Sequence, residues 1–343
     1  MQKVNIILVG FGRVGRAFYE LLKEKYDYCR ERYGLFLELK GIIRKSGAVL
    51  LSGTGKLVTA AESPGGKPSE LSNWVQVFSL EDLLEEFKSG VVVDCTPSDL
   101  KTGEPGYSLM RTALEKGWHV VTASKGALVV HPAELAALAR EKQVAIKASG
   151  ATAAALPTLD VGLHSLAGAE ILAMEGILNG TTNYILTRMA EGLSFSRALL
   201  EASEKGIAEP NPVQDIEGWD TAAKMVIIAN RVLGTEIKLS EIKVNGLRGI
   251  NEQLVARAAS LGKTIKLIGR CSRENPDAPW KVEVGLALLD PDHPLAGVSG
   301  SNKGLIFYTD CMGYIVLTGG KSDPRGAGAA LIKDIISIYW RDF

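Results

Sequence analysis

The chain has 343 residues, 46% of them hydrophobic and 23% charged, and its 39 Lys and Arg balance its 39 Asp and Glu. That length accommodates two domains with cores of their own, and a formal charge of zero leaves no electrostatic footprint for nucleic acid or a membrane surface. Cysteines 29, 95, 271 and 311 form no C-x-x-C pair and no zinc spacing. With no signal-type segment and no apolar run of about eighteen residues, the sequence reads as a soluble, cytoplasmic protein without a bound metal.

Residues 3–9 read as a buried strand that runs into Gly10-Phe11-Gly12-Arg13-Val14-Gly15 and then an amphipathic helix through about residue 25. Strand, glycine turn and helix together are the context that gives a G-x-G-x-x-G match its meaning. Gly10 permits the turn, Gly12 lets a pyrophosphate approach the backbone, and Gly15 lets helix pack on strand. The amides of residues 12 to 15 then face the phosphates at a helix N-terminus. The second strand, 37–43, ends where an NAD-selective site would carry Asp or Glu for the ribose 2′-hydroxyl. Here Arg44-Lys45-Ser46 stands instead. Two cations suit a 2′-phosphate, which points to NADP over NAD, with NAD still possible; the plain alternative is a solvated pair. Lys56 and Lys67, in the Gly-, Ser- and Pro-rich stretch 52–73, offer a second phosphate contact in what reads as a surface excursion.

A helix over 81–88 leads to the strand 91–94 and the turn Cys95-Thr96-Pro97-Ser98, small residues at the carboxyl edge of the sheet, where a cofactor lies. No histidine is placed to activate Cys95, which reads as an inert thiol. After a helix over 105–116, the strand 118–122 ends at Ala123-Ser124-Lys125-Gly126, from which Lys125 can reach the ligand crevice. A helix over 132–142 and a strand over 144–147 complete a Rossmann-type, doubly wound parallel sheet spanning residues 1–150.

Residues 151–320 read as a second, α+β domain for substrate binding, catalysis and dimerisation. A strand over 171–178 ends at Asn179-Gly-Thr-Thr-Asn183, a polar turn that caps a helix starting near Tyr184 and resembles a ligand loop. Further strands are expected at 264–271, 280–288, 303–309 and 313–318, mostly joined as hairpins. A helix near 327–339, within the segment 321–343, is expected to pack back on the first domain and make it discontinuous.

The chemistry concentrates in the stretch from Glu209 to Lys224. Pro210 and Pro212 stiffen the approach, and Asp215 reads as the N-cap of a helix starting near 215. On that helix Asp220 and Lys224 stand four apart, with the acid N-terminal to the base. Apolar residues from Ala222 to Ala229 surround Lys224 on every side, so the helix is buried and the ammonium must be paired or line a cavity. Glu209, Asp215 and Asp220 exceed what one lysine needs for balance, which suggests a cationic or amino-bearing ligand.

Taken together, the glycine turn, Leu100-Lys-Thr-Gly-Glu-Pro105, Val120-Val-Thr-Ala-Ser-Lys125, Gly176-Ile-Leu-Asn-Gly-Thr-Thr-Asn183 and the Glu209 to Lys224 stretch resemble the homoserine dehydrogenases, in their short monofunctional form without a regulatory domain. The resemblance implies a homodimer that interconverts L-aspartate 4-semialdehyde and L-homoserine with a nicotinamide cofactor, on the route to threonine and methionine. Lys224 and Lys125 match the family lysines at the reacting oxygen, with Lys125 alternatively on the substrate carboxylate. Asp220 matches the acid beside the first lysine, and Glu209 and Asp215 match acids that hold the amino acid. Where family members often bind a monovalent cation, this chain has Lys147 at the head of a longer loop to Pro157, which argues against one here. Two rivals stay open: a related reductase of another amino-acid aldehyde or imine, and a non-catalytic NADP-binding sensor, which would need neither a buried lysine nor a carboxylate cluster.

Overall fold

The computed structural model describes residues 1–45, 47–50, 74–75, 79–320 and 323–340, so Ser46, Lys56, Lys67 and the stretch 52–73 lie outside the described residues. The chain divides into two compact units, Met1–Ala151 with Ala327–Phe343, and Thr152–Gly326.

In the first unit the elements run β1 (Gln2–Val9), α1 (Arg13–Tyr33), β2 (Leu35–Arg44), β3 (Gly47–Leu50), β4 (Trp74–Val75), α2 (Leu80–Phe87), β5 (Val91–Asp94), α3 (Gly106–Glu115), β6 (His119–Thr122), α4 (Gly126–Val130), α5 (Pro132–Glu141) and β7 (Ile146–Lys147). They form a seven-stranded sheet in the order β4-β3-β2-β1-β5-β6-β7. The strands from β2 through β7 in that order are parallel, as expected from the alternation of strands and helices. The other edge corrects that expectation, because β3 runs antiparallel to β2 and β4 antiparallel to β3. Arg44 pairs with Gly47 across only two intervening residues, and so short a connection closes a hairpin and cannot close a parallel crossover.

Helix α1 is two turns longer than the sequence suggested. It ends where Gly34 adopts φ +67° and donates to the Arg30 carbonyl at 3.0 Å. Its last turns bury only Cys29, so the apolar periodicity that marks a helix fades before the helix does. Phe18 and Leu22 of α1 pack on Ile6 and Leu8 of β1, together with Leu331, Ile332 and Ile335 of the helix over residues 324–339. A Cβ at Gly328 of that helix would press on the backbone of Ala17 and Phe18, at 2.9–3.1 Å, so glycine permits the close approach to α1.

The second unit contains α6 (Thr158–Asp160), β8 (Ile171–Ile177), α7 (Gly180–Ala190), α8 (Phe195–Glu204), α9 (Val213–Ile216), α10 (Trp219–Leu233), β9 (Lys243–Val244), α11 (Glu252–Ser260), β10 (Thr264–Ser272), β11 (Lys281–Leu289), β12 (Lys303–Thr309) and β13 (Tyr314–Gly319), before α12 (Pro324–Tyr339). Its six-stranded sheet has the order β13-β12-β8-β10-β11-β9. All pairings are antiparallel except that of β9 with β11. Helices α7 and α10 cover one face, where Thr221 and Met225 of α10 lie against Gly269 of β10. On the other face Ile177, Ile268 and Ile306 form a cluster with Leu295 and Val298 from the connection that follows β11. Early in this unit the Ala153 carbonyl accepts from the Lys303 ammonium at 3.3 Å, a buried cation supplied by the chain itself.

Two helix starts differ from the sequence reading, and both matter for the site. Helix α7 begins at Gly180, with Asn179 as its N-cap. Asp215 does not cap the buried helix: it lies in the single turn α9, and α10 starts only after Gly218, which has φ +87°. That left-handed residue breaks the helical path and swings Asp220 into the first turn of α10.

Candidate active site

The lysine of the buried helix is held at both ends of a short polar chain. Lys224 Nζ donates to Asp220 Oδ2 at 2.6 Å and to the Leu178 carbonyl at 2.9 Å. The two side chains are only 13% and 11% exposed, so the pair is far less screened than a surface salt bridge. Of the three ammonium protons of Lys224, two are thereby committed. The third has no acceptor among the described residues.

Asn179 ties the acids together. Its Nδ2 donates to Asp215 Oδ1 at 2.7 Å and to Asp220 Oδ2 at 2.8 Å, while its Oδ1 accepts from the Thr182 amide at 2.8 Å as the cap of α7. One side chain thus fixes a helix start and spaces two carboxylates that share one lysine. Burial pushes the Asp215 carboxyl up, and the neighbouring Asp220 charge pushes it further, against the pull of Lys224 and Asn179. Glu209 does not join this hydrogen-bonded group. It is exposed and its carboxylate has no partner among the described residues, although Ile207, two residues earlier, is tied to the α7 start through Thr181 Oγ1 at 3.2 Å.

One turn further along α7, Asn183 accepts from Lys266 Nζ at 3.1 Å and donates to the carbonyls of Val298 and Asn302 at 3.2 and 3.0 Å. Lys266 is 2% exposed, also donates to the Val298 carbonyl at 2.5 Å, and has no carboxylate partner among the described residues. Burial brings its pKa down to about 8.

In the first unit the glycine turn has the spatial properties of a phosphate cradle. A Cβ on Gly10 would run into the Cys95 carbonyl and the Thr96 amide at the end of β5, and one on Gly15 into the Gly10 carbonyl. At Gly12 nothing lies within 4 Å of where a Cβ would stand, so a ligand can approach the backbone just ahead of α1. The first turn of α1 contains no acid, and its leading amides have no helical acceptor. Gly10 N donates to the Ile43 carbonyl at 2.9 Å, which puts Arg44, the last residue of β2, and Lys45 after it beside this turn. Neither cation has a partner among the described residues. The residues present therefore fit a dinucleotide.

At the neighbouring strand ends, Asp94 is fully buried and accepts from Thr96 N at 2.9 Å, Thr96 Oγ1 at 2.6 Å and Thr122 Oγ1 at 2.8 Å. Thr122 Oγ1 accepts in turn from Ser124 N at 2.9 Å, and Ser98 Oγ accepts from Lys125 N at 2.8 Å while lying 3.2 Å from Ser124 Oγ. The backbone of Thr96, Ser124 and Lys125 is thus positioned by a carboxylate that the sequence reading passed over as a strand end. Pro97 stands between Thr96 and Ser98. Burial drives the Cys95 thiol far above its ordinary range, with the Asp94 charge adding to the effect, so it stays protonated and unreactive. Asn179 was recognisable as part of a polar turn; its contacts to Asp215 and Asp220 were not.

A sequence profile described as homoserine dehydrogenase matches residues 157–336, and one described as the homoserine dehydrogenase NAD binding domain matches residues 10–148. The chain belongs to the homoserine dehydrogenase family. It is 37% identical to the homoserine dehydrogenase of Methanocaldococcus jannaschii, over 98% of each chain. It is 32% identical to the NAD(+)-dependent homoserine dehydrogenase of Pseudomonas canavaninivorans, over 99% of this chain and 97% of that one. Among solved structures, a hyperthermophilic archaeal homoserine dehydrogenase in complex with NADPH superposes with a TM-score of 0.82 at 28% identity, covering 98% of both chains. The chain is accordingly an NAD(P)-dependent oxidoreductase, and the doubly wound sheet of its first unit is the nucleotide-binding part. Among the described residues, no helix is long and apolar enough to cross a membrane.

Proposed function

We propose that this dehydrogenase reduces L-aspartate 4-semialdehyde to L-homoserine reversibly, with Lys224 as the proton donor, and that it serves threonine and methionine synthesis in the cytoplasm. The observation that carries the assignment is the third proton of Lys224, which has no acceptor among the described residues, on an ammonium whose other two are held at 2.6 and 2.9 Å. A nicotinamide cofactor, when bound, would supply the hydride that reduction of an aldehyde carbon requires. As negative charge builds on the oxygen, the Lys224 ammonium stabilises it and passes its proton across, leaving a neutral amine that solvent reprotonates. A positioned acid of this kind contributes about 10²–10⁴ in rate. Asp220 aims the lysine, and Asn179 holds Asp220 in register. Asp215 and Glu209 receive the substrate ammonium, and Lys125 polarises the reacting oxygen or binds the substrate carboxylate.

For the cofactor, residues 10 to 15 would hold the pyrophosphate, and Thr96, Pro97, Ser124 and Lys125 would flank the nicotinamide side. Arg44 and Lys45, both without a partner among the described residues, support NADP as the preferred nucleotide, with NAD also accepted. A homodimer through the second unit is supported by the face of its sheet where Tyr308 and Tyr314 stand 6.3 Å apart, the latter 60% exposed.

The test is to follow reduced-nicotinamide absorbance with purified protein, L-homoserine and either NADP⁺ or NAD⁺. Reduction is expected with both nucleotides and faster with NADP⁺ at subsaturating concentration. No reduction despite saturable NADP⁺ binding would overturn the substrate assignment.

A further inference from the structure

We propose that a cleft of about 800 Å³ in the second unit is an effector site for an α-amino acid with an apolar side chain. The volume is that of a small-molecule pocket. Its walls are apolar at Phe195, Trp219, Leu247 and Ile250 and charged at Glu217 and Arg248. The four apolar residues are buried or half-buried, whereas the two charged ones are exposed. Among the described residues, the carboxylate of Glu217 and the guanidinium of Arg248 make no ion pair or hydrogen bond, with each other or with any neighbour. A ligand that satisfies one cation, one anion and an apolar wall at once is a zwitterion with an aliphatic or aromatic side chain. Guanidinium takes its carboxylate in two-point fashion, and Glu217 takes its ammonium.

The cleft abuts the elements that carry the acids. Leu247 N donates to the Ile216 carbonyl at 2.7 Å, and Gly246 lies so close to the Ile216 and Glu217 backbone that a Cβ there would collide with it. Asn245 N is bonded to the Val284 carbonyl at 2.8 Å, so this wall is anchored to the sheet. The adjoining wall is the end of α9 and the start of α10, which hold Asp215 and Asp220. Because Ile216 and Glu217 are already held against the anchored loop, a ligand bridging Arg248 to Glu217 bears on the end of α9 and through it on the spacing that Asn179 maintains.

The regulatory half of the inference rests on the dehydrogenase reaction proposed above, whereas the binding half does not. Calorimetric titration of the NADP⁺-loaded protein with L-valine, L-leucine, L-isoleucine, L-methionine and L-phenylalanine reads binding directly. At least one should bind saturably below about 10 mM, and its amine and acid analogues, each lacking one charge, should bind at least about tenfold more weakly. Arg248→Ala and Glu217→Gln should each weaken binding to a similar degree while leaving turnover without the amino acid within about twofold. Bound amino acid should change KM for homoserine by about fivefold or more in wild type and not in either variant. Absence of saturable binding overturns the site, as does binding that survives both substitutions or that homoserine displaces by simple competition. Loss of turnover in every sample, with binding intact, would fault the substrate assignment and leave the site standing.

Discussion

Each unit buries a carboxylate beside the residues assigned to chemistry, and the two are satisfied in opposite ways. Among the described residues Asp94 meets hydroxyl and amide donors, with three hydrogen bonds from Thr96 and Thr122 and no cation within ion-pair distance. Asp220 shares the Asn179 amide with Asp215 and pairs with Lys224. Neutral donors fix geometry and give nothing away: the hydrogen bonds that Asp94 accepts hold Thr96 and Thr122, and Thr122 in turn holds the backbone of Ser124. A lysine carries three donors and a transferable proton, so the second arrangement can be held in place and still have one donor to spend on a ligand. Positioning and reactivity are thus separated into different polar clusters.

The largest expected effect breaks the reactive cluster. Lys224→Ala should lower kcat at least about 100-fold with an unchanged far-ultraviolet circular dichroism spectrum, and Asp220→Asn should lose less. A greater loss for Asp220→Asn would exchange their roles. In the positioning cluster, Asp94→Ala removes the acceptor of the Thr96 amide and hydroxyl and the nearer acceptor of the Thr122 hydroxyl, and a loss of about 2–3 kcal/mol in stability is expected from urea midpoints; an unchanged midpoint would mean that Asp94 supports nothing. At the ribose end, Arg44→Asp should shift the ratio of kcat/KM for NADP⁺ over NAD⁺ toward NAD⁺ by about tenfold or more, and a constant ratio would remove Arg44 from nucleotide choice.

The last expected effect concerns Lys266, buried without a carboxylate partner among the described residues and without an assigned part in the reaction. Its pKa is brought down to about 8 in the folded state, below the value of about 10.4 for a free lysine. The unfolded chain therefore binds more protons between those limits, and stability from this group rises with pH. Charging it carries its full cost below about 8 and none above about 10.4. The stability difference between wild type and Lys266→Met should shift in favour of wild type as pH rises through that window; a difference that stays flat would place the Lys266 pKa near its ordinary value.

Much of this was legible because it is local. The glycine turn, the alternation of strands and helices, and the Asp220–Lys224 spacing each lie within one or two elements, where period and sequence separation fix geometry. The role of Asn179 was not legible, since its partners lie 36 and 41 residues away and nothing in its own neighbourhood names them. For Asp94 the distant half was missed in the same way, since Thr122 lies 28 residues further on, although Thr96 is only two residues away. Asp215 was misread as a cap because a stretch rich in helix formers hides the break, and a single left-handed glycine at 218 decides it. Strands β3 and β4 span four and two residues, too short to show an alternation.

The two-segment make-up of the first unit also sets an order of assembly. Residues 152–326 are contiguous, whereas the first unit needs residues from 327 onward to finish its core, including Leu331, Ile332 and Ile335. On a ribosome, where domains ordinarily close from the N-terminus onward, the unit translated first is the one completed last. Until α12 emerges, the apolar surface of α1 and β1 that it will cover stays open to water and to other nascent chains. A chaperone that acts on this protein would find its work there, at the nucleotide-binding end, after the second unit has already folded.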